Sequence, residues 1–149
     1  MWGKPIILED QAIVILDTEG LHSSFRDKEI DGYLLGITMM LCSVFVYNNF
    51  GVIDEKELSE IAAVIELTKW VKEGNVIPYF LWCLRDFTLE TQGLDSSDDY
   101  MEKVLSIRDL DSRSPKYSMR KSFMEFFRDR GCLFFVRPMN DEKKIRKIE

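Results

Sequence analysis

Length, composition and charge already restrict what this chain can be. Its 149 residues suffice for one domain with a sizeable core, and 46% hydrophobic with 31% charged residues is a globular composition. The net charge of −6 argues against a nucleic-acid partner or an anionic membrane surface, although a local phosphate pocket built from backbone N–H groups remains compatible with it. Three cysteines without CxxC spacing indicate reduced thiols in a cytoplasmic protein.

The first predicted elements are two short strands that form a hairpin. The second strand, residues 12–16, is a continuous apolar run, which is typical of a strand buried on both faces inside a parallel sheet. It leads directly into Asp17, Thr18, Glu19 and Gly20. Polar residues at the carboxyl end of such a strand lie where open α/β sheets bind ligands.

Two of these polar residues have chemistry suited to a nucleotide. We expect Asp17 to lie at the sheet rim, where its carboxylate can hold Mg²⁺ directly or through water. Gly20 allows the backbone to approach a ligand and to turn its N–H towards an anion. A core strand ending in a polar turn explains the same residues equally well. The Asp-Thr-Gly of an aspartic protease does not, because Glu19 separates Thr18 from Gly20.

Alternating helices and strands fill the rest of the chain, which predicts a three-layer α/β fold. Asp31 is expected to cap a helix that reaches Leu41, and Asp54 to cap an amphipathic helix over residues 55–72. The apolar run at residues 33–47 is shorter than the roughly 20 residues of a membrane span, so no transmembrane segment is predicted. Further strands are predicted at residues 43–47, 79–84 and 132–136, with a helix capped by Asp98 or Asp99 and another over residues 116–130.

The strand at residues 79–84 runs into Arg85 and Asp86, so a second strand of the predicted sheet ends in an acid. A carboxylate accepts two hydrogen bonds at once, and guanine presents a ring N–H beside an exocyclic amine. Adenine has no such pair on that edge. Asp86 is therefore a candidate for guanine selection, with Arg85 packed against the base or holding the loop. The alternative is a local ion pair at the strand end.

These stretches together resemble the GTPase domain of the guanylate-binding protein family, which is related to the atlastins within the dynamin superfamily. The resemblance covers nearly the whole chain. Cys83 stands where the family usually has threonine, and Val136 where it has an acid. Residues 16–21 are similar to the family's LDTEGL switch II motif, residues 43–48 to its STFVYN strand, residues 82–87 to its guanine-recognition motif, and residues 132–138 to its CFVFDRP segment.

The resemblance implies a P-loop-GTPase-like sheet with helices on both faces, of which residues 1–149 form the portion from the strand before switch II onward. It implies GTP as the substrate and Mg²⁺ as the metal, with a guanine nucleotide as the partner. The implied roles are Asp17 in the Mg²⁺ shell through water, Thr18 and Leu21 in the nucleotide site, the Gly20 amide on the γ-phosphate, Glu19 as the catalytic residue near the attacking water, and Arg85 and Asp86 on guanine.

The 149 residues contain no G-x-x-x-x-G-K-[ST] loop, which cradles the phosphates and supplies a lysine and a metal-binding hydroxyl. The family carries this loop and the first strand of the sheet upstream of the point where this chain begins. We therefore expect part of a GTPase domain that is inactive alone. The alternative is a truncated, non-catalytic relative that pairs with full-length GTPase domains. The resemblance also implies a homo- or heterodimer through the GTPase-domain face.

Overall fold

The computed structural model describes residues 4–18, 28–69, 77–90 and 93–137. Its strands and helices alternate along the chain, and the predicted α/β class is confirmed. In chain order the elements are β1 (Ile6–Leu8), β2 (Gln11–Ile13), α1 (Lys28–Leu41), β3 (Val44–Phe50), α2 (Glu55–Lys69), β4 (Tyr79–Arg85), α3 (Ser97–Leu105), α4 (Pro115–Phe126) and β5 (Arg130–Phe135).

A parallel sheet of three strands in the order β3-β4-β5 forms the centre of the fold. Residue Phe45 lies opposite Phe80, and Trp82 lies opposite Cys132. The strands are parallel because a helical segment returns the chain to the same end of the sheet before each new strand begins. The predicted strands at residues 43–47, 79–84 and 132–136 are therefore confirmed in substance, although β3 extends to Phe50.

The amino-terminal strands form a separate hairpin. β1 and β2 pair antiparallel, with Ile6 opposite Ile13, as predicted. The prediction of a buried strand over residues 12–16 inside the parallel sheet is wrong. β2 ends at Ile13, every residue of the described range 4–18 is exposed, and the parallel sheet consists of β3, β4 and β5 in the described ranges. An apolar run favours burial, but it does not determine which strand pairs with it.

One face of the sheet carries the core. Because side chains alternate along a strand, Phe45, Phe80 and Trp82 share a face. The ring centroid of Phe80 lies 5.0 Å from that of Phe123 and 4.6 Å from that of Phe127. All four helices contribute buried residues to the same cluster: Leu35 and Met39 of α1, Leu58, Ile61 and Ile65 of α2, Tyr100, Met101 and Leu105 of α3, and Phe123 and Phe126 of α4.

The opposite face, which we call the outer face, is apolar and open. Within the described residues of this face, Leu81 is half-buried and Cys83 is buried, whereas six large apolar side chains range from 41% to 67% exposed. They come from all three strands and include both aromatic and β-branched types. The outer face consists of Val44, Val46, Phe50, Tyr79, Leu133 and Phe135.

The helix starts agree only partly with the sequence predictions. Asp54 does cap α2, because its Oδ1 accepts the Glu57 N–H at 2.9 Å while Glu57 Oε2 accepts the Asp54 N–H at 3.3 Å. The cap of α3 is Ser96 rather than Asp98 or Asp99. Asp98 accepts instead from the backbone of β5, so a tertiary contact occupies the carboxylate that was expected to cap the helix.

The expected cap of α1 by Asp31 is also wrong. The helix already includes Lys28, which puts Asp31 within its first turns, where the side chain is buried. Among the described helices, none combines the length and the hydropathy that crossing a membrane requires.

Candidate functional site

The end of β4 is held from both sides by the neighbouring strands. Arg85 is the last residue of the strand, and its carbonyl oxygen accepts the Gly51 N–H at 2.7 Å. One residue beyond Asp86, the Phe87 N–H donates to the Phe135 carbonyl at 3.4 Å. The backbone on both sides of Asp86 is therefore hydrogen-bonded to the ends of β3 and β5, which limits how far the turn can move.

Asp86 itself adopts a left-handed backbone conformation, with φ of 53°. This conformation is unfavourable for most residues with a Cβ, and aspartate is among those that tolerate it best. A residue in a sparsely populated region costs about 1–3 kcal/mol and persists only where its surroundings hold it there. Such residues are concentrated at ligand sites, so the conformation of Asp86 supports a functional interpretation of this turn.

The side chains of Arg85 and Asp86 do not pair with each other. Arg85 is exposed and Asp86 is half-buried, and neither has a hydrogen-bond or ion-pair partner in the part of the chain that the structure describes. The local ion pair that the sequence left open as an alternative is therefore not formed. Both carboxylate oxygens of Asp86 are available to accept hydrogen bonds from a ligand.

An aromatic cluster supports the chain just after this turn. Phe87 is buried and stacks on Phe134, with ring centroids 3.8 Å apart and planes inclined by 7°. Tyr100 meets Phe87 edge to face at 5.1 Å, and its hydroxyl accepts the Ile53 N–H at 3.4 Å. Burial raises the pKa of Tyr100. The turn is thus anchored to α3 as well as to the sheet.

The half-buried carboxyl of Glu57, on α2, lies at the same end of β3. Glu57 Oε2 accepts from Asn49 Nδ2 at 2.7 Å, and Asn49 also donates to the Val52 carbonyl at 3.1 Å. Burial raises the pKa of Glu57 to about 7, with the nearby Asp54 and Glu60 charges adding to the effect. Burial likewise raises the pKa of Tyr47 above its usual range. The hydrogen bonds of Asn49 to Val52 and of Glu57 to the Asp54 N–H stabilise the loop that begins with Gly51.

The predicted phosphate-side residues are only partly described. Asp17 and Thr18 are exposed and follow β2, which does not belong to the sheet that carries Asp86. The structure therefore does not bring Asp17 and Asp86 to one sheet edge. The remaining three predicted residues, Glu19, Gly20 and Leu21, lie outside the described residues.

The chemistry of the available ligand atoms is suitable for Mg²⁺. An exposed carboxylate such as Asp17 supplies the oxygen ligand that Mg²⁺ prefers, and Mg²⁺ is often held by one or two carboxylates together with substrate phosphates. The described residues include no cluster of three or more His, Cys, Asp or Glu side chains that could hold a metal. Asp17 is thus compatible with a site completed by phosphate and water.

Sequence reasoning did not identify two residues that hold the Asp86 turn. Gly51 has a φ of 78° and donates its N–H to Arg85, and the contribution of Phe135 is through its backbone carbonyl. A glycine directly after an apolar strand is a signal for a positive φ. No sequence signal identifies Phe135, because its role depends on the register between β4 and β5.

A parallel sheet with helices packed on it, and a polar turn at the carboxyl end of its central strand, form an α/β domain, the class to which P-loop-GTPase-like folds belong. Residues 1–149 match the family model for the N-terminal domain of guanylate-binding proteins, and the chain belongs to this family.

Two relatives illustrate the similarity. The chain is 32% identical to guanylate-binding protein 1 of Mus musculus over 160 residues, which cover 93% of this chain and 27% of the relative. It is 31% identical to guanylate-binding protein 6 of Homo sapiens over 173 residues, covering 100% of this chain and 27% of the relative. The chain therefore spans about a quarter of the length of these curated relatives.

Proposed function

We propose that this chain is part of a GTP-binding and GTP-hydrolysing domain, and that Asp86 selects the guanine base. One observation carries the proposal: the Asp86 carboxylate has no partner among the described residues, in a left-handed turn fastened to both neighbouring strands. An unpaired carboxylate on an anchored backbone can accept hydrogen bonds from the two adjacent donors of guanine. The names of the relatives, guanylate-binding proteins, agree with this choice of base.

In the proposed binding mode, the two side chains make different contacts with guanine. Asp86 accepts the ring N–H and the exocyclic amine of guanine, one at each carboxylate oxygen. Arg85 is exposed beside it, so its planar guanidinium and aliphatic stem are free to pack against the base. Adenine would leave the Asp86 carboxylate without donors, and such an unpaired acceptor costs about 1–3 kcal/mol. We therefore expect a preference for GTP over ATP of roughly fivefold to 150-fold.

The phosphate side of the proposal rests on the family resemblance. Asp17 would hold Mg²⁺ through water, while Thr18, Gly20 and Leu21 would line the nucleotide site and Glu19 would orient the attacking water. When bound, Mg²⁺ neutralises negative charge on the phosphates. Because hydrolysis depends mainly on positioned cations and amides, a P-loop must complete the site before this chain contributes to turnover. We infer a cytoplasmic location from the three cysteines, none of which forms a disulfide, and from the family.

The test is competition binding of GTP, ATP and xanthosine triphosphate to the chain extended upstream by a P-loop. Xanthine carries an oxygen where guanine has its amine, so Asp86→Asn should weaken GTP binding and improve binding of xanthosine triphosphate. Arg85→Ala is the matched comparison, and it should weaken both without changing their order. If Asp86→Asn lowers the affinity for all three nucleotides equally, Asp86 has a structural role and the guanine assignment is wrong.

A second candidate function is an interaction module that pairs with full-length GTPase domains. The open outer face favours it, because exposed apolar surface of this kind marks interaction sites. The dimer through the GTPase-domain face, implied by the resemblance, belongs to this proposal. The first function predicts that the extended chain binds guanine nucleotides and that Asp86→Asn loses this selectivity. The second function predicts neither result.

A further inference from the structure

The loop at residues 51–54, which we call the Gly51 loop, contacts the chain on both sides of the turn that follows β4. The Gly51 N–H donates to the Arg85 carbonyl at 2.7 Å. Two residues further on, the Ile53 N–H donates to the Tyr100 hydroxyl at 3.4 Å, and the Tyr100 ring meets Phe87 edge to face at 5.1 Å. A displacement of this loop would therefore affect the backbone before and after the candidate base site.

The side-chain amide of Asn49 holds the Gly51 loop in place. Its Oδ1 accepts the Phe50 N–H at 2.7 Å. Its Nδ2 donates to the Val52 carbonyl at 3.1 Å and to Glu57 Oε2 at 2.7 Å. The same Glu57 oxygen accepts the Asp54 N–H at 3.3 Å. One carboxyl oxygen on α2 is therefore bonded at both ends of the loop, to the last residues of β3 and to the start of the helix.

The surroundings of the Glu57 carboxyl disfavour its charged form. Burial raises its pKa to about 7, and the carboxylates of Asp54 and Glu60 add to the effect. The two hydrogen bonds that it accepts act in the opposite direction, but the cost of removing a charge from water is larger. The Tyr47 and Tyr100 hydroxyls also face it, and burial raises the pKa of both. Near neutral pH, the neutral and charged forms of Glu57 are therefore present in similar amounts.

The cations near this part of α2 do not compensate a charge on Glu57. Three of them are described, and each forms its ion pair with a different carboxylate. A charged Glu57 therefore faces like charges at a half-buried position, and turning towards water is its favourable alternative. The three cations are Lys56, which pairs with Glu60, and Lys116 and Arg120, which both pair with Glu55.

We propose that Glu57 is a positioning residue for the guanine site: when neutral it holds the Asn49 amide and the Gly51 loop against the end of β4, and when charged it releases them. The proposal rests on the proposed role of Asp86 in guanine selection. Because a released loop no longer restrains the Arg85 carbonyl, fewer molecules have the turn in the conformation that accepts guanine. Guanine-nucleotide affinity should therefore fall as the pH rises through about 7, and nucleotide binding should favour proton uptake by Glu57.

Hydrogen exchange of the 149-residue chain without nucleotide tests the positioning directly. Between pH 6 and pH 8 the Gly51 N–H should lose protection by about fivefold, after correction for the intrinsic pH dependence of exchange. In Glu57→Gln, which stays neutral, the protection should be the same at both pH values. The Phe80 N–H, which donates to the Asp129 carbonyl at 3.0 Å at the opposite end of β4, is the internal control and should keep its protection in both chains.

Two further variants test the path and the specificity of the effect. Asn49→Ser removes the amide that joins Glu57 to the loop, so protection of the Gly51 N–H should be low at both pH values. Adding Glu57→Gln to Asn49→Ser should change nothing more, because both residues act through one contact. Asn49→Ser also serves as the test if Glu57→Gln does not fold. Glu125→Gln makes the same chemical change at an exposed position of α4 and should keep the pH dependence of the parent.

GTP binding by the chain extended upstream by a P-loop is the second measurement. At pH 8 the parent should bind GTP about fivefold more weakly than Glu57→Gln does, and at pH 6 the two should bind nearly equally. The phosphates of GTP titrate in the same range, but they do so alike for both proteins, so the difference between them isolates Glu57.

Two results would overturn the proposal. One is equal pH dependence of Gly51 protection in the parent and in Glu57→Gln. The other is loss of that protection at pH 8 without any difference in GTP affinity between the two. If instead Asp86→Asn leaves the choice among GTP, ATP and xanthosine triphosphate unchanged, the proposed function is wrong, and the exchange measurement still decides whether Glu57 positions the turn.

Discussion

Arg130 should contribute far more to stability than an exposed arginine such as Arg113, because it joins three elements. Its Nε and Nη2 donate to the two carboxylate oxygens of Glu102 on α3, at 2.7 Å and 2.8 Å. Its Nη1 donates to the carbonyl of Phe127 at 2.8 Å and to that of Met124 at 3.4 Å, at the end of α4. The Arg130 side chain is only 15% exposed. Replacing it by methionine keeps the aliphatic bulk and removes all of these hydrogen bonds.

The expected loss follows from the number and burial of these bonds. A hydrogen bond to a charged group contributes about 1.5–3 kcal/mol, but the four bonds do not add, because Glu102 is 48% exposed and its ion pair contributes little; the bond to the Phe127 carbonyl accounts for most of the loss. We expect Arg130→Met to lower the free energy of unfolding by about 2–3 kcal/mol. For a domain of this size that corresponds to a fall in Tm of roughly 5–10 °C. Arg130→Lys keeps the charge but loses the forked geometry, so it should lose about half as much.

Arg113 is the matched control. It also makes a forked contact with a carboxylate, to Asp111 with both distances at 3.3 Å, but its side chain is 88% exposed. Arg113→Met should leave the Tm unchanged within error, because exposed ion pairs contribute little. Urea and thermal unfolding of the three variants and the parent chain measure the effect. Equal destabilisation by Arg113→Met and Arg130→Met would refute the reasoning, because burial would then not decide the contribution.

Two other predictions concern pH and turnover. Burial raises the pKa of Glu57 from 4.5 to about 7, so the folded state favours its neutral form; the resulting stability is full below pH 4.5 and is lost as the pH rises through 7. Glu57→Gln should therefore be more stable than the parent by about 1 kcal/mol at pH 8, after allowance for its partial exposure, and should match it at pH 4. The 149-residue chain alone should hydrolyse GTP no faster than a blank without protein, because the loop that positions the phosphates is absent from its sequence.

Each of these two predictions has a measurement that can contradict it. Urea unfolding across the pH range measures the first, with the exposed Glu125→Gln on α4 as a control that should show no such pH dependence. A constant difference between Glu57→Gln and the parent at all pH values would show that the side chain is not neutralised on folding. Phosphate release measures the second, and turnover that disappears in Glu19→Ala would show that this chain is catalytic by itself.

The sequence by itself determined the order of the elements, the family and the position of the candidate base site. Helical and strand periodicities are local, so the alternation of strands and helices could be predicted from neighbouring residues. The cap of α2 by Asp54 was equally predictable, since the capping box needs only residues three apart. Arg85 and Asp86 were found at the end of β4 because an apolar run stops there and charge begins.

The tertiary structure determines which distant segments the helices and strands pair with or hydrogen-bond to. Residues 12–16 have the pattern of a buried strand, yet the hairpin pairs only with itself in the described residues, because burial requires a neighbour that the pattern does not supply. Asp98 binds β5 rather than capping α3, since the strand that competes for it lies 34 residues away. The left-handed turn at Asp86 depends on Gly51 and Phe135 from two other strands. Contacts between distant segments follow from register and packing, which no local window of sequence contains.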